Sequence, residues 1–220
     1  SRINLSDADP AAIPSVITPF AYQLVAGRVN NLANTTRPGF LAGVANLFAE
    51  TGSTGGVIQT KQALHTQGLL HLEDMEPARI YALGGNLSGL TVFTAKPARI
   101  NASQDITDVA FYLQNLRDGD QSVVSAGRDL VPYNANTSAR VTANSTGNIT
   151  QSGETPSAGD IQISGPGTLQ VIAGRTIDLG TGTANADGTG VGITSIGNAR
   201  NPSLAVKGSA LILSAGTGPA

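Results

Sequence analysis

Ser122 to Tyr133 reads SVVSAGRDLVPY, and Gly167 to Gly180 reads GTLQVIAGRTIDLG. Each stretch places alternating aliphatics ahead of a small Ala-Gly pair, then Arg, a short polar residue and another aliphatic. Val124 and Ala126 fall on one side of an extended backbone, with Val123 and Ser125 on the other; Leu169 and Val171 oppose Gln170 and Ile172 in the same way. Side chains two apart share one face of a strand, so this alternation reads as short half-buried strands and not as helices.

Working outward, the same phrase returns along the chain. It occurs as YQLVAGRVNNL from Tyr22 to Leu32, RIYALGGNLSGLTVF from Arg79 to Phe93 and RINASQDITDVAFYL from Arg99 to Leu113. A looser version is RVTANSTGNIT from Arg140 to Thr150, a terminal one ALILSAGTG from Ala210, and another strand-like phrase, GDIQISG, is squeezed in from Gly159 to Gly165. The polar residue ahead of the aliphatic stands at Asn86, Asp105, Asp129, Asn148 and Thr176, at intervals of 19, 24, 19 and 28 residues. A repeat of roughly 20 to 25 residues is the signature of stacked units that bury their apolar side chains on one another. The expected fold is therefore all-β, a right-handed parallel β-helix (β-solenoid). Gly of the Ala-Gly pair is expected to take positive φ at a corner, with Ala fitting where the coil is narrow. A two-sheet sandwich of hairpins is the rival. It calls for Asn-Gly or Asp-Gly turns, of which only Asp118-Gly119 and Asp187-Gly188 qualify.

Residues 1–78 read differently from the rungs of 79–220. Pro10, Pro14, Pro19 and Pro38 punctuate an irregular segment. Phe40, Leu41, Val44, Leu47 and Phe48 then follow helical spacing just after Pro38, which predicts a short helix with proline near its start. Gln62 to Leu72 is ambiguous. Helical elements here would shield a sheet edge.

Composition narrows the function classes. The 220 residues include 27 glycines, and charged residues make up 13%, about half the share of an ordinary soluble domain. Thirteen basic against 15 acidic residues leave a net charge of −2, so no basic stripe for nucleic acid is expected. No apolar run approaches the roughly 20 residues of a membrane-spanning helix, and no membrane insertion is expected. Cysteine is absent, which excludes disulfides, zinc-thiolate sites and thiol nucleophiles. That absence suits either a low-cysteine cytosolic chain or a protein exported unfolded. The sequence opens at Ser1 without a signal peptide and is read as a piece of a longer protein.

SVVSAGRDLVPYNAN from Ser122, GDIQISGPGTLQVIAGRTIDLGTG from Gly159 and GVGITSIGNARNPSLA from Gly190 resemble a module of large filamentous-haemagglutinin-like exoproteins. These are the secreted partners of bacterial two-partner secretion systems. The likeness covers Arg79 to Ala220 well and the first 78 residues more weakly. It implies a right-handed parallel β-helix, a secreted or cell-surface location on a Gram-negative bacterium, and export of the parent protein through an outer-membrane transporter. It further implies an adhesive or structural role toward a host or bacterial surface glycan or receptor. No enzymatic activity and no cofactor follow from it, and the Asn-Pro-Asn-type motifs of the family's secretion domain are missing. A β-helical polysaccharide-degrading or tailspike-like domain and a passive spacer shaft stay open as alternatives.

Candidate sites follow from the chemistry of these roles. Arg28, Arg128 and Arg175 each follow an Ala-Gly pair, and stacked they would make a basic ladder for acidic glycans, or else cap turn carbonyls. A glycosidase needs two carboxylates about 5–9.5 Å apart. Asp105 with Asp108, Asp118 with Asp120, and Glu73, Asp74 and Glu76 are the available groups, and solvated turns explain them equally. His65 and His71, six apart, suit no metal geometry well, and NADGTGVG from Asn185 lacks the spaced carboxylates of a calcium loop. No metal or catalytic set is expected. Asn-x-Ser/Thr sequons stand at Asn4, Asn34, Asn86, Asn101, Asn136, Asn144 and Asn148; they read as glycosylation acceptors in a secreted chain or as ordinary corner residues.

Overall fold

The computed structural model describes residues 2–5, 68–134, 136, 159–180, 192–198 and 201–218. The described residues are all-β, with strands arranged in three parallel sheets and no helix. One sheet is built from β1 (Arg2–Leu5), β4 (Thr91–Thr94), β7 (Ala110–Gln114), β10 (Asp160–Ser164) and β12 (Gly192–Gly197) in that order. A second orders β2 (Ala78–Ala82), β5 (Ala98–Ala102), β8 (Gln121–Ala126), β11 (Thr168–Ala173) and β13 (Ala210–Ser214). The third is narrow: β3 (Leu87–Ser88), β6 (Ile106–Thr107) and β9 (Leu130–Val131), continued by a bridge from Leu130 to Ile177.

Along the chain the strands visit the sheets in fixed rotation, second, third, first, and each pairs in parallel with the strand one circuit later. Parallel neighbours need a long crossover, and here each crossover is itself made of the other two strands of the circuit. Every strand pairing among the described residues is parallel, so the hairpin sandwich does not describe them.

Register places like residues over like. Ile80, Ile100, Val124, Val171 and Leu213 form one column of the second sheet, and Ala82, Ala102, Ala126 and Ala173 another. Val92, Phe111, Ile161 and Ile193 stack in the first sheet. Most of these side chains belong to one apolar core together with Ile106, Leu113 and Leu130. Burial of such columns is the main favourable term, about 1.5–3 kcal/mol for each large aliphatic. The alternation expected from sequence holds on β8 and β11, where every second residue is buried. It fails on β7 and β10, which are buried on both faces; Phe93 and Tyr112, outside the core column, stack with ring centroids 4.8 Å apart. An uninterrupted apolar run such as Val109–Leu113 marks a strand covered on both sides.

Four readings change. First, among the described Ala-Gly pairs positive φ is met at Gly216 (φ 72°), whereas the corner glycines Gly127 and Gly174 are absent from the left-handed residues. Stacked backbone leaves them no room, since a Cβ on Gly127 would lie 2.1 Å from Ser103 O and one on Gly174 2.0 Å from Gly127 O. Ala102, Ala126 and Ala173 are fully buried in one column. Second, the repeat is uneven. Leu130 bridges Ile177 directly, so the step from Asp129 to Thr176 is one circuit; Asn148 lies outside the described residues. Third, GDIQISG, read only as one more strand-like phrase between the copies, has its own place in the circuit as a strand of the first sheet. Fourth, Arg2–Leu5, inside the segment read as irregular, is a strand paired with Thr91–Thr94. The helix expected at 40–50 and the YQLVAGRVNNL phrase lie outside the described residues, as does most of 62–72.

Candidate functional site

The polar corner ahead of the third sheet is a ladder in which each side chain serves the circuit that follows. Asn86 Oδ1 accepts from the Asp105 amide at 3.1 Å, and Asp105 Oδ1 accepts from the Asp129 amide at 3.1 Å. A short side chain with an acceptor oxygen is what a stacked turn requires. Arg128 then grips the Asp105 carboxylate with two nitrogens, Nε to Oδ1 at 3.0 Å and Nη2 to Oδ2 at 2.5 Å, and its Nη2 also donates to Gln104 Oε1. One circuit on, Arg175 pairs with Asp129. The paired guanidinium, followed by the Asp129 amide, holds the Asp105 carboxyl below the usual carboxylate range against an opposing push from burial. The same bond raises Arg128.

The basic ladder expected from Arg128 and Arg175 is thus an alternating acid–base stack, its cations matched by the aspartates one circuit earlier. Arg28 lies outside the described residues. Most of the carboxylates weighed for catalysis are engaged in structure, whereas Glu73 and Asp118 are exposed. Asp105 is held by Arg128, while Asp108 is buried at φ 52°. Asp120 Oδ2 accepts from the amides of Leu116 and Arg117 and so closes the turn that contains Asp118. Asp74 pairs with Lys96 and lies 3.7 Å from His71 Nδ1, and Glu76 pairs with Arg79. Among the described residues no group of three His, Asp or Glu side chains is placed to hold a metal. Of the sequons, Asn86 and Asn136 are exposed and Asn101 is half-buried on β5, whereas Asn34, Asn144 and Asn148 lie outside the described residues and Asn4 is placed by its backbone in β1.

A buried polar network at the corner between the first and second sheets escapes the sequence reading. Asn115, fully buried, donates from Nδ2 to Thr168 O at 3.0 Å and to Ser209 Oγ at 3.3 Å, and its Oδ1 accepts from Ser122 Oγ at 2.8 Å. Ser122 Oγ in turn accepts from the Ala98 amide, and Ser209 Oγ donates to the carbonyls of Gly165 and Pro166. One amide side chain therefore ties four successive circuits together. Its sequence signal was slight: a lone Asn closing the run Val109–Leu116.

The outer face of the second sheet is the accessible surface. Its outward rows are Arg79, Arg99, Val123, Gln170 and Ile212, and beside them Tyr81, Asn101, Ser125, Ile172 and Ser214. An open hollow of about 450 Å³ lies across β2, β5, β8 and β11, bounded by Tyr81 and Leu83 at one end and Ile172 at the other. Tyr81 is 49% exposed and Leu83 79%. Arg99 is exposed and its guanidinium makes no hydrogen bond or ion pair among the described residues, whereas the neighbouring Arg79 is matched by Glu76. A broad, shallow, mixed surface of this kind can hold an extended ligand by many small contacts. Comparison of the chain with protein-family models, with curated proteins and with solved structures gives no match.

Proposed function

We propose that the three sheets are the faces of a right-handed parallel β-helix and that this β-helix is a structural and adhesive segment of a large secreted exoprotein. The observation that carries the reading is the fixed rotation of parallel strands through three sheets, each circuit stacked in register on the last. Crossovers between parallel strands of one sheet are right-handed in about 98% of cases, which supplies the hand. Stacked circuits make a shaft whose outer surface repeats at the strand spacing of about 4.8 Å, suited to projecting a site or to presenting one along its length. The likeness of SVVSAGRDLVPYNAN and its companion phrases to filamentous-haemagglutinin-like exoproteins supports a Gram-negative cell-surface setting. It also supports export of the parent protein by an outer-membrane two-partner secretion transporter.

Binding of the purified chain to epithelial cells and to an immobilised glycan panel, with eluted glycans checked for cleavage, tests the adhesive role. Saturable binding with intact glycans is expected. Shortened glycans would replace adhesion by a polysaccharide-degrading activity, and no binding to any surface would leave a spacer.

A further inference from the structure

Four features of the second sheet's outer face converge on one class of ligand. Arg99 is an exposed cation with no partner among the described residues, and no acidic side chain lines the hollow beside it. A guanidinium so placed matches a carboxylate in a planar, two-pronged contact. Tyr81 offers a half-exposed aromatic face at the same end, while Leu83, Val123 and Ile172 provide aliphatic patches for the C–H faces of sugar rings. Asn101 and Ser125, directly registered with Tyr81 on the next two strands, supply donors and acceptors for hydroxyls. Finally, the row runs across parallel strands about 4.8 Å apart, close to the length of one pyranose ring. A linear glycan laid along the stacking direction then meets one outward side chain per ring. A flat sheet interior offers no free backbone edge, which disfavours an added peptide strand.

We infer that this hollow binds a linear polysaccharide whose rings carry carboxylates, one of them gripped by Arg99 and an adjoining ring stacked on Tyr81. The inference rests on the adhesive reading and names its ligand class and its site.

The test is calorimetric titration of the full chain with alginate oligomers, which carry a carboxylate on every ring, against neutral dextran oligomers and dextran sulfate of equal length. Alginate is expected to bind, and neutral dextran is not. Arg99→Gln should weaken alginate binding by about tenfold or more. Tyr81→Ala should weaken it about three- to tenfold, with Tyr81→Phe close to the parent. Both side chains are exposed, so unchanged thermal melting will certify that the variants fold. Alginate affinity indifferent to Arg99→Gln, or dextran sulfate bound as tightly as alginate, overturns the site as described. Cell binding retained in full by Arg99→Gln while alginate fails to bind overturns this inference alone. Absence of any binding by the parent chain overturns the adhesive reading with it.

Discussion

Asn115→Ala removes a side chain that holds four circuits in register, and its cost can be worked from the geometry. Its three shortest bonds are lost, to Thr168 O at 3.0 Å, to Ser209 Oγ at 3.3 Å and from Ser122 Oγ at 2.8 Å, with a longer one to Asp120 O at 3.5 Å. A net hydrogen bond contributes about 1 kcal/mol, and a buried group left without a partner costs about 1–3 kcal/mol more. Ser122 is fully buried, so its hydroxyl cannot turn to water once Asn115 Oδ1 is gone. The total is about 3–5 kcal/mol, within the range reserved for breaking a buried polar network. Urea unfolding with linear extrapolation measures it, and a double-mutant cycle with Ser122→Ala separates network from volume. Because Ser122→Ala deletes the group that Asn115→Ala would strand, the double variant should be less destabilised than the sum by about 1 kcal/mol or more. A single-variant loss under about 1 kcal/mol, with strictly additive effects, refutes the reasoning.

Two further outcomes follow from the corners. Gly174→Ala would set a Cβ 2.0 Å from Gly127 O, whereas Gly119 has open space around it. Thermal melting should show Gly174→Ala destabilised by about 2–4 kcal/mol and Gly119→Ala within about 0.5 kcal/mol of the parent; equal melting of the two would remove steric exclusion as the reason for the Ala-Gly pair. Asp105, held below the usual carboxylate range by Arg128, binds its proton less readily folded than unfolded. Its stabilisation is therefore fully present above the ordinary carboxylate pKa of about 3.9 and is lost as pH falls through the lower native value. Melting temperatures collected from pH 6 downward should fall less steeply for Asp105→Asn than for the parent, and identical slopes contradict the pairing.

The strand phrases of the second sheet were legible because the period-two pattern there is written in residues of unequal polarity. Ser122, Val124 and Ala126 face in while Val123 and Ser125 face out, and the phrase recurs closely enough to be matched by eye. The first sheet was harder to read. Its middle strands are buried on both faces, which erases the alternation and leaves short apolar runs that any buried segment would show. Arg2–Leu5 has the alternation but no copy of the Ala-Gly phrase after it, so only its pairing with β4 reveals it as a rung. The repeat spacing is uneven because the register runs from Leu130 straight to Ile177, a step longer than that from Ile106 to Leu130.

The charged residues failed for a related reason. Arg128 and Asp105 are 23 positions apart, and nothing local couples them. Only the length of the intervening circuit places the guanidinium over the carboxylate, so a column of arginines and a column of acid–base pairs look alike until register is fixed. Arg99 shows the converse. It carries no Ala-Gly signal, yet the sheet turns it outward beside Tyr81, where no acidic side chain lines the hollow. Asn115 illustrates the limit of pattern reading, since its partners come from three circuits besides its own.

The stacking of successive circuits in parallel register is the claim on which the rest depends, and nuclear Overhauser contacts across β8 test it most directly. In the isotopically labelled chain, Val124 should show cross-strand contacts to Ile100 on one side and Val171 on the other, in the amide-to-α-proton pattern of parallel strands. Close α-proton to α-proton contacts along β8, the mark of antiparallel neighbours, or contacts of Val124 to residues of the first sheet's strands in place of Ile100 and Val171, would contradict the account.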